Sequence, residues 1–273
     1  MQLQSRAATA LLVVASLSLF ILLNAILPKT LVLPFELLAL SSLVFISFKE
    51  INALESTDNY KAIIFSFITL APFLWLVIAP EGYLIYYLYW LLFLYVIGVA
   101  SWRYFKKDKW VFLQLNALAY CFWNAFIFLS LVDIYLMALL LGAVMINDTL
   151  AYWFGSKYGQ RRVFEWSPNK TLEGFLFPIA PVTFLTLVVT LIGRWSVKGA
   201  FSTVWITLLM PVILLMANMG DLVFSKYKRY FNIKDYSALL GAHGGFWDRF
   251  DSHTFALNTT FFFLFFFVVN GNL

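Results

Sequence analysis

Charge is what this 273-residue chain has least of: 12% of its residues are Asp, Glu, Lys or Arg, about half the share found in a soluble globular domain. With 62% hydrophobic residues, 20% aromatics and a mean hydropathy of +0.84, a water-soluble globular fold is excluded and a polytopic, all-α membrane protein is expected. Cysteine is nearly missing too. Cys121 stands alone inside an apolar run, so no internal disulfide can form, and a small core residue is its simplest role. No polar stretch is long enough for a soluble domain, so residues 1–273 are read as one membrane domain. The first apolar run, 8–27, has Arg6 as a basic flank but no small-residue cleavage site, which argues for a retained helix rather than a signal peptide. Internal repeats and inverted halves are also missing, and with them the usual sequence hint of a secondary transporter. The net charge of +5 and pI near 9.2 are modest and fall in loops. Membrane topology and anionic headgroups account for them better than nucleic acid does.

What the chain does have is a series of apolar runs of membrane-spanning length. Nine spans are expected, at about 8–28, 30–48, 62–80, 83–101, 111–131, 134–154, 174–193, 201–220 and 253–270. Numbering the faces alternately puts sixteen of the nineteen Lys and Arg residues on one face, leaving Lys29, Arg194 and Lys198 on the other. The rich face is then cytoplasmic, with the N-terminus inside and the C-terminus outside. Both long polar stretches, 155–173 and 221–252, lie on that face. The short N-terminus suits a bacterial inner-membrane protein.

The first polar stretch follows Asp148, near the cytoplasmic end of the sixth span, with Tyr152 and Gly155 one and two turns further along the same helix face. An ionisable group at that depth marks a cavity or a partner, unless it snorkels or bonds between helices. Gly155 and Gly159 allow a turn or close backbone approach, and Lys157, Arg161, Arg162 and Lys170 follow. The run SPNKTLEG offers a turn at Ser167 and Pro168, with Thr171 and Glu173 available as caps. Taken alone, this could equally be an ordinary juxtamembrane basic loop.

The second stretch, Asp221–Asp251, holds four of the eight aspartates, five of the nineteen Lys and Arg residues and one of the two histidines. If the eighth span continues as a helix beyond the bilayer, Asp221, Ser225, Lys228 and Arg229 share a face. Carboxylate and hydroxyl oxygens suit a hard cation such as Mg²⁺, and the cations suit phosphate. Gly241, Gly244 and Gly245 let the chain bend around His243, which either bonds the turn or touches a phosphate. Asp248 and Asp251 follow one helical turn apart. Carboxylates on two helix ends can clamp one or two divalent ions that hold nucleotide phosphates. Elsewhere, His253 reads as an interfacial residue, Glu36 has no assigned role, and Asn116, Asn124 and Asn218 read as interhelical hydrogen-bonding groups.

The pattern S-K-Y-K-R-x4-K-D-x-S-x2-L-G-x-H-G-G-F-x-D-R-F-D, Ser225 to Asp251, resembles the signature of the phosphatidate cytidylyltransferases, the CDP-diacylglycerol synthases. Upstream, D-T-L-A-Y-x2-G-x3-G and S-P-N-K-T-x-E-G resemble that family's preceding block. The resemblance covers residues 146–257, whereas 1–145 match only in hydropathy. Gly241 and Ala242 stand where many bacterial members carry Pro-Gly.

The resemblance implies a membrane enzyme that makes CDP-diacylglycerol and pyrophosphate from CTP and phosphatidic acid at the cytoplasmic face, with Mg²⁺ and room for a second, monovalent cation such as K⁺. Under it, Asp221 and Asp248 hold the metal, with Asp251, Asp148 and Ser225 in support. Lys228, Arg229 and Arg249 neutralise phosphates, with Lys170 doing so from the other loop. Gly244 and Gly245 bring backbone amides to phosphate oxygens, and Tyr152, Ser167 and His243 complete the substrate contacts. Small residues and aromatics in the spans would permit a homodimer among membrane lipids. The rival expectations are a CTP-dependent enzyme for another lipid phosphate or a polyprenol, and a transporter. The transporter would need ionisable residues in mid-span, whereas here nearly all lie at cytoplasmic ends.

Overall fold

The computed structural model describes residues 29–55, 59–78, 108–193, 203–239, 241 and 244–269. These form eight α-helices and no strand among the described residues. They are α1 (Lys29–Asn52), followed by a 3-10 turn (Ala53–Glu55), α2 (Asn59–Ile78), α3 (Asp108–Val132), α4 (Ile134–Tyr158), the short α5 (Leu172–Leu176), α6 (Ile179–Gly193), α7 (Thr203–Tyr230) and α8 (Trp247–Val269). Among the described residues, four segments are long and apolar enough to cross a membrane: Val111–Ser130, Ile134–Tyr158, Leu172–Ile192 and Thr207–Tyr230. The expected spans at 8–28 and 83–101 lie outside the described residues.

Two elements differ from the sequence expectation. The span expected at 174–193 is broken at Phe177 and Pro178 into α5 and α6, where proline has no N–H to continue the ladder. Helix α7 runs on to Tyr230, ten residues past the expected end at 220, and so carries Asp221, Ser225 and Lys228 on regular helix.

The chain divides into two compact units, Met1–Ala71 with Ile233–Arg249, and Pro72–Asn232 with Phe250–Leu273. In the second unit, α4 packs against α3, α5, α6 and α7, and α6 against α7. Asp133 is the single residue between α3 and α4, and its carboxylate accepts from the N–H groups of Tyr135 and Leu136 at 2.8 and 3.2 Å, capping α4. Phe122 meets Phe250 and Phe128 meets Phe261, seating α8 on α3. Cys121 is buried there. Large apolar side chains such as Phe184, Ile192 and Leu208 face outward, as they do on helices surrounded by lipid.

In the first unit, Phe48 of α1 stacks on Phe65 of α2 with ring centroids 5.7 Å apart, and Trp247 is fully buried. The indole N–H of Trp247 donates to the Ser47 carbonyl at 2.9 Å. A chain segment nearly two hundred residues downstream is thus held against α1.

Candidate active site

The second unit gathers charge at the polar ends of α4, α7 and α8. Glycines make the approach possible. A Cβ at Gly174 would lie 2.8 Å from the Ala151 carbonyl oxygen, and one at Gly159 would lie 2.6 Å from the Thr171 side chain. The segment after α4 therefore folds flat against that helix. Thr171 caps α5 by accepting from Gly174 N–H at 3.2 Å. Glu173 accepts from the backbone N–H groups of Gln160 and Arg161 at 3.0 and 3.2 Å. The turn at Ser167 and Pro168 is closed by Lys170 N–H donating to the Ser167 carbonyl at 3.0 Å. This turn delivers Lys170 to Asp221, with which it forms an ion pair.

Helices α4, α5 and α7 are locked together beside that pair. Asn147 donates to the Asn218 side-chain oxygen at 2.6 Å, and Asn218 donates to the Phe175 carbonyl at 2.7 Å. Close approach of α7 to α8 depends on Gly220, where a Cβ would lie 2.7 Å from the Asp251 carbonyl oxygen. Asp221 and Asp251 therefore come from a backbone crossing with no room for a methyl group.

Around that crossing, Ser225 Oγ reaches Asp221 at 3.5 Å, and Ser252 Oγ donates to Asp148 at 3.3 Å. Asp251 is buried and accepts from Ser252 N–H at 2.8 Å. It feels the like charges of Asp221 and Asp148 and the opposing charge of Lys228. Three carboxylates, two hydroxyls and two ammonium groups thus form one electrostatic cluster. The donors are all oxygen, which fits a hard divalent cation, and Asp221 already holds a positive charge in Lys170. Among the described residues, however, no three acidic, His or Cys side chains converge as a ready-made metal group.

The first unit uses its carboxylates differently. Gly241 and Gly244 have φ of +59° and +76°, a region open to glycine. Asp248 Oδ2 accepts from Tyr236 N–H at 2.8 Å and Gly245 N–H at 2.9 Å, closing the turn ahead of α8. Glu50, 5% exposed at the end of α1, accepts from the N–H groups of Phe246 and Trp247 at 2.9 and 3.3 Å. Burial holds its carboxyl above the ordinary range, a shift opposed by Ser237 and by the Trp247 and Phe246 N–H groups and reinforced by the nearby Asp248 charge.

Comparison with known proteins decides what this architecture belongs to. Residues 4–267 match the profile of the cytidylyltransferase family. The chain belongs to that family. Phosphatidate cytidylyltransferase of Staphylococcus aureus (strain COL) is 42% identical over 116 residues, that of Staphylococcus epidermidis (strain ATCC 35984) 40%, and that of Staphylococcus haemolyticus (strain JCSC1435) 39%. Each alignment takes in 42% of this chain and 43% of the relative, so the chain spans less than half the length of the curated relatives it matches.

Within this chain, the structure brings together Asp148, Lys170, Asp221, Ser225, Lys228 and Asp251 of the expected set. Asp248, Gly244, Gly245 and Arg249 belong to the first unit, and His243 lies outside the described residues. Tyr152 is 81% exposed, Arg229 is exposed, and Ser167 serves the turn before Lys170. His253 is buried, its Nε2 3.4 Å from the Leu141 carbonyl. The Asn218 side chain bridges helices as expected, whereas those of Asn116 and Asn124 bond to carbonyls four residues back on their own helix. Sequence reasoning missed Glu50, Asn147 and Ser252. In the sequence, Glu50 looks like any charged residue flanking a span, and its partners lie 196 and 197 residues away.

Proposed function

We propose that this chain is a phosphatidate cytidylyltransferase, transferring CMP from CTP to phosphatidic acid to give CDP-diacylglycerol and pyrophosphate. The observation that carries the reading is the half-buried cluster of Asp148, Asp221 and Asp251 with Lys170 and Lys228 at the ends of apolar helices. Family membership and the names of the relatives point the same way.

In this reaction a phosphate oxygen of the lipid attacks the α-phosphorus of CTP. The new O–P bond forms as the bond from the α-phosphorus to the bridging oxygen breaks, and pyrophosphate leaves with that electron pair. Lys170 and Lys228 neutralise incoming phosphate charge, which would otherwise repel both the second substrate and the carboxylates. Ser225 and Ser252 keep the Asp221 and Asp148 carboxylates oriented. The Gly220 crossing keeps the α7 and α8 groups in fixed register. Mg²⁺ would be held by Asp221 with Asp251 and Asp148, while Asp248 is a ligand candidate on the motif resemblance alone; when bound, the ion supplies charge neutralisation for the transferring phosphoryl group. Arg229 and Arg249 remain phosphate-binding candidates, and a monovalent cation such as K⁺ and a homodimer belong to the same proposal. The asymmetry of Lys and Arg supports nine spans, an N-terminus inside, and a site facing the cytoplasm from a bacterial inner membrane.

The test is formation of labelled lipid from labelled CTP by the purified protein in detergent. Product that requires both phosphatidic acid and Mg²⁺, with one pyrophosphate per lipid, is the expected result. Folded protein that binds CTP but leaves phosphatidic acid unchanged would overturn the choice of acceptor.

A further inference from the structure

We infer that Glu50 is a positioning residue for Asp248 and the glycine turn before it, so that the motif-free N-terminal region contributes directly to the geometry of the signature segment. The inference rests on the cytidylyltransferase reading above for its catalytic consequence. Its structural half stands on three successive backbone N–H groups. Those of Phe246 and Trp247 are both taken by Glu50 Oε2, at 2.9 and 3.3 Å, and that of Gly245 by Asp248 Oδ2 at 2.9 Å. These are the amides that a helix start leaves without intrahelical partners, and carboxylates placed there oppose the positive end of the helix dipole.

Glu50 also explains Gly245. A Cβ at that position would overlap Glu50 Oε1 and lie 2.7 Å from Ser237 Oγ. The two glycines of the turn therefore do separate jobs. Gly244 adopts the positive φ, and Gly245 leaves room for a carboxylate supplied by α1. The Trp247 indole, fully buried and bonded to the Ser47 carbonyl one turn earlier on α1, fixes the same junction from the other side. Asp248 follows directly, its carboxylate already bonded to Tyr236 and Gly245 N–H. Loss of Glu50 would release the first amides of α8 and with them the seat of Asp248. Because Glu50 bonds the Phe246 and Trp247 N–H groups and the Ser237 side chain of the turn, its removal should act on the rate of the bound complex more than on substrate affinity.

The experiment compares Glu50→Ala, Glu50→Gln and Gly245→Ala in the full chain in detergent, reading kcat, KM for CTP and amide hydrogen exchange over residues 244–249. Glu50→Ala is expected to speed exchange there and lower kcat about tenfold or more while KM for CTP stays within about threefold. Glu50→Gln keeps a side-chain oxygen that can accept both N–H groups, and should restore slow exchange with kcat within about threefold of the parent. Gly245→Ala keeps Glu50 but displaces its carboxylate, and should reproduce the Glu50→Ala loss, which covers the case of an alanine variant that does not fold. The inference is overturned if Glu50→Ala or Gly245→Ala leaves exchange or kcat at the parent value, if KM alone changes, or if Gln is as damaging as Ala. Absence of CMP transfer in the parent protein would instead remove the proposed function, while the exchange comparison would still decide whether Glu50 seats the turn.

Discussion

Asp221 and Asp251 of the second unit and Glu50 and Asp248 of the first have the same chemistry and largely different partners. In the second unit, Asp221 faces Lys170, Asp251 sits in the field of Lys228, and both share that field with Asp148. In the first unit, Glu50 and Asp248 accept from backbone N–H groups. A carboxylate bonded to main-chain amides fixes a fold, since those donors cannot leave without unravelling a turn. A carboxylate beside lysines and other carboxylates is held in a charge balance that an arriving cation or phosphate can rearrange. The difference separates scaffold from the proposed reaction centre even though Asp248 lies in the same polar stretch as Asp221 and Asp251.

Four substitutions would break or sharpen that contrast. The largest effect is expected for Asp221→Asn, which removes the charge at the middle of the cluster. Turnover should fall by about a thousandfold with thermal unfolding little changed, and retention of more than about a tenth of the activity would sink its role in metal binding. Asp248→Asn comes next and is the most diagnostic, because the amide oxygen can still accept from Tyr236 and Gly245. A fall of about a hundredfold with unchanged exchange in the turn would show that Asp248 serves both chemistry and scaffold; full activity would make it a turn residue alone. Gly220→Ala should push α7 from α8, lowering stability by about 1–3 kcal/mol and turnover about tenfold, read by denaturation and rate together. The smallest effect belongs to Thr171→Val, which deletes the α5 cap. A loss of about 1 kcal/mol is expected, with a modest rise in KM for CTP as the Lys170 turn loosens.

Much of the second unit was legible because its logic is local. The spacing of Asp221, Ser225 and Lys228 defines one helix face wherever the helix stops, and α7 extends far enough for it to matter. The Thr171 cap and the turn at Ser167 likewise depend on neighbours within a few residues. The break between α5 and α6 was missed because hydropathy is blind to a helix interruption inside an apolar run, although Pro178 was its local mark. Glu50 was illegible for a different reason. Nothing near it in sequence reveals that its partners are amides on the far side of the chain. The two glycines of the turn were legible as bends, but the need for Gly245 depends on an oxygen that only the fold brings there.

The single residue between α3 and α4 has a mechanical consequence. Asp133 caps α4 within a one-residue joint that leaves that end of the helix pair no slack. Asp148 lies fifteen positions along α4 from it, a lever arm of roughly 22 Å at the helical rise. A pivot of about 3° at Asp133 would carry Asp148 about 1 Å, a displacement large enough to matter at a phosphoryl-transfer centre. The stapled end of the hairpin thus sets the scale on which the reacting end can be tuned.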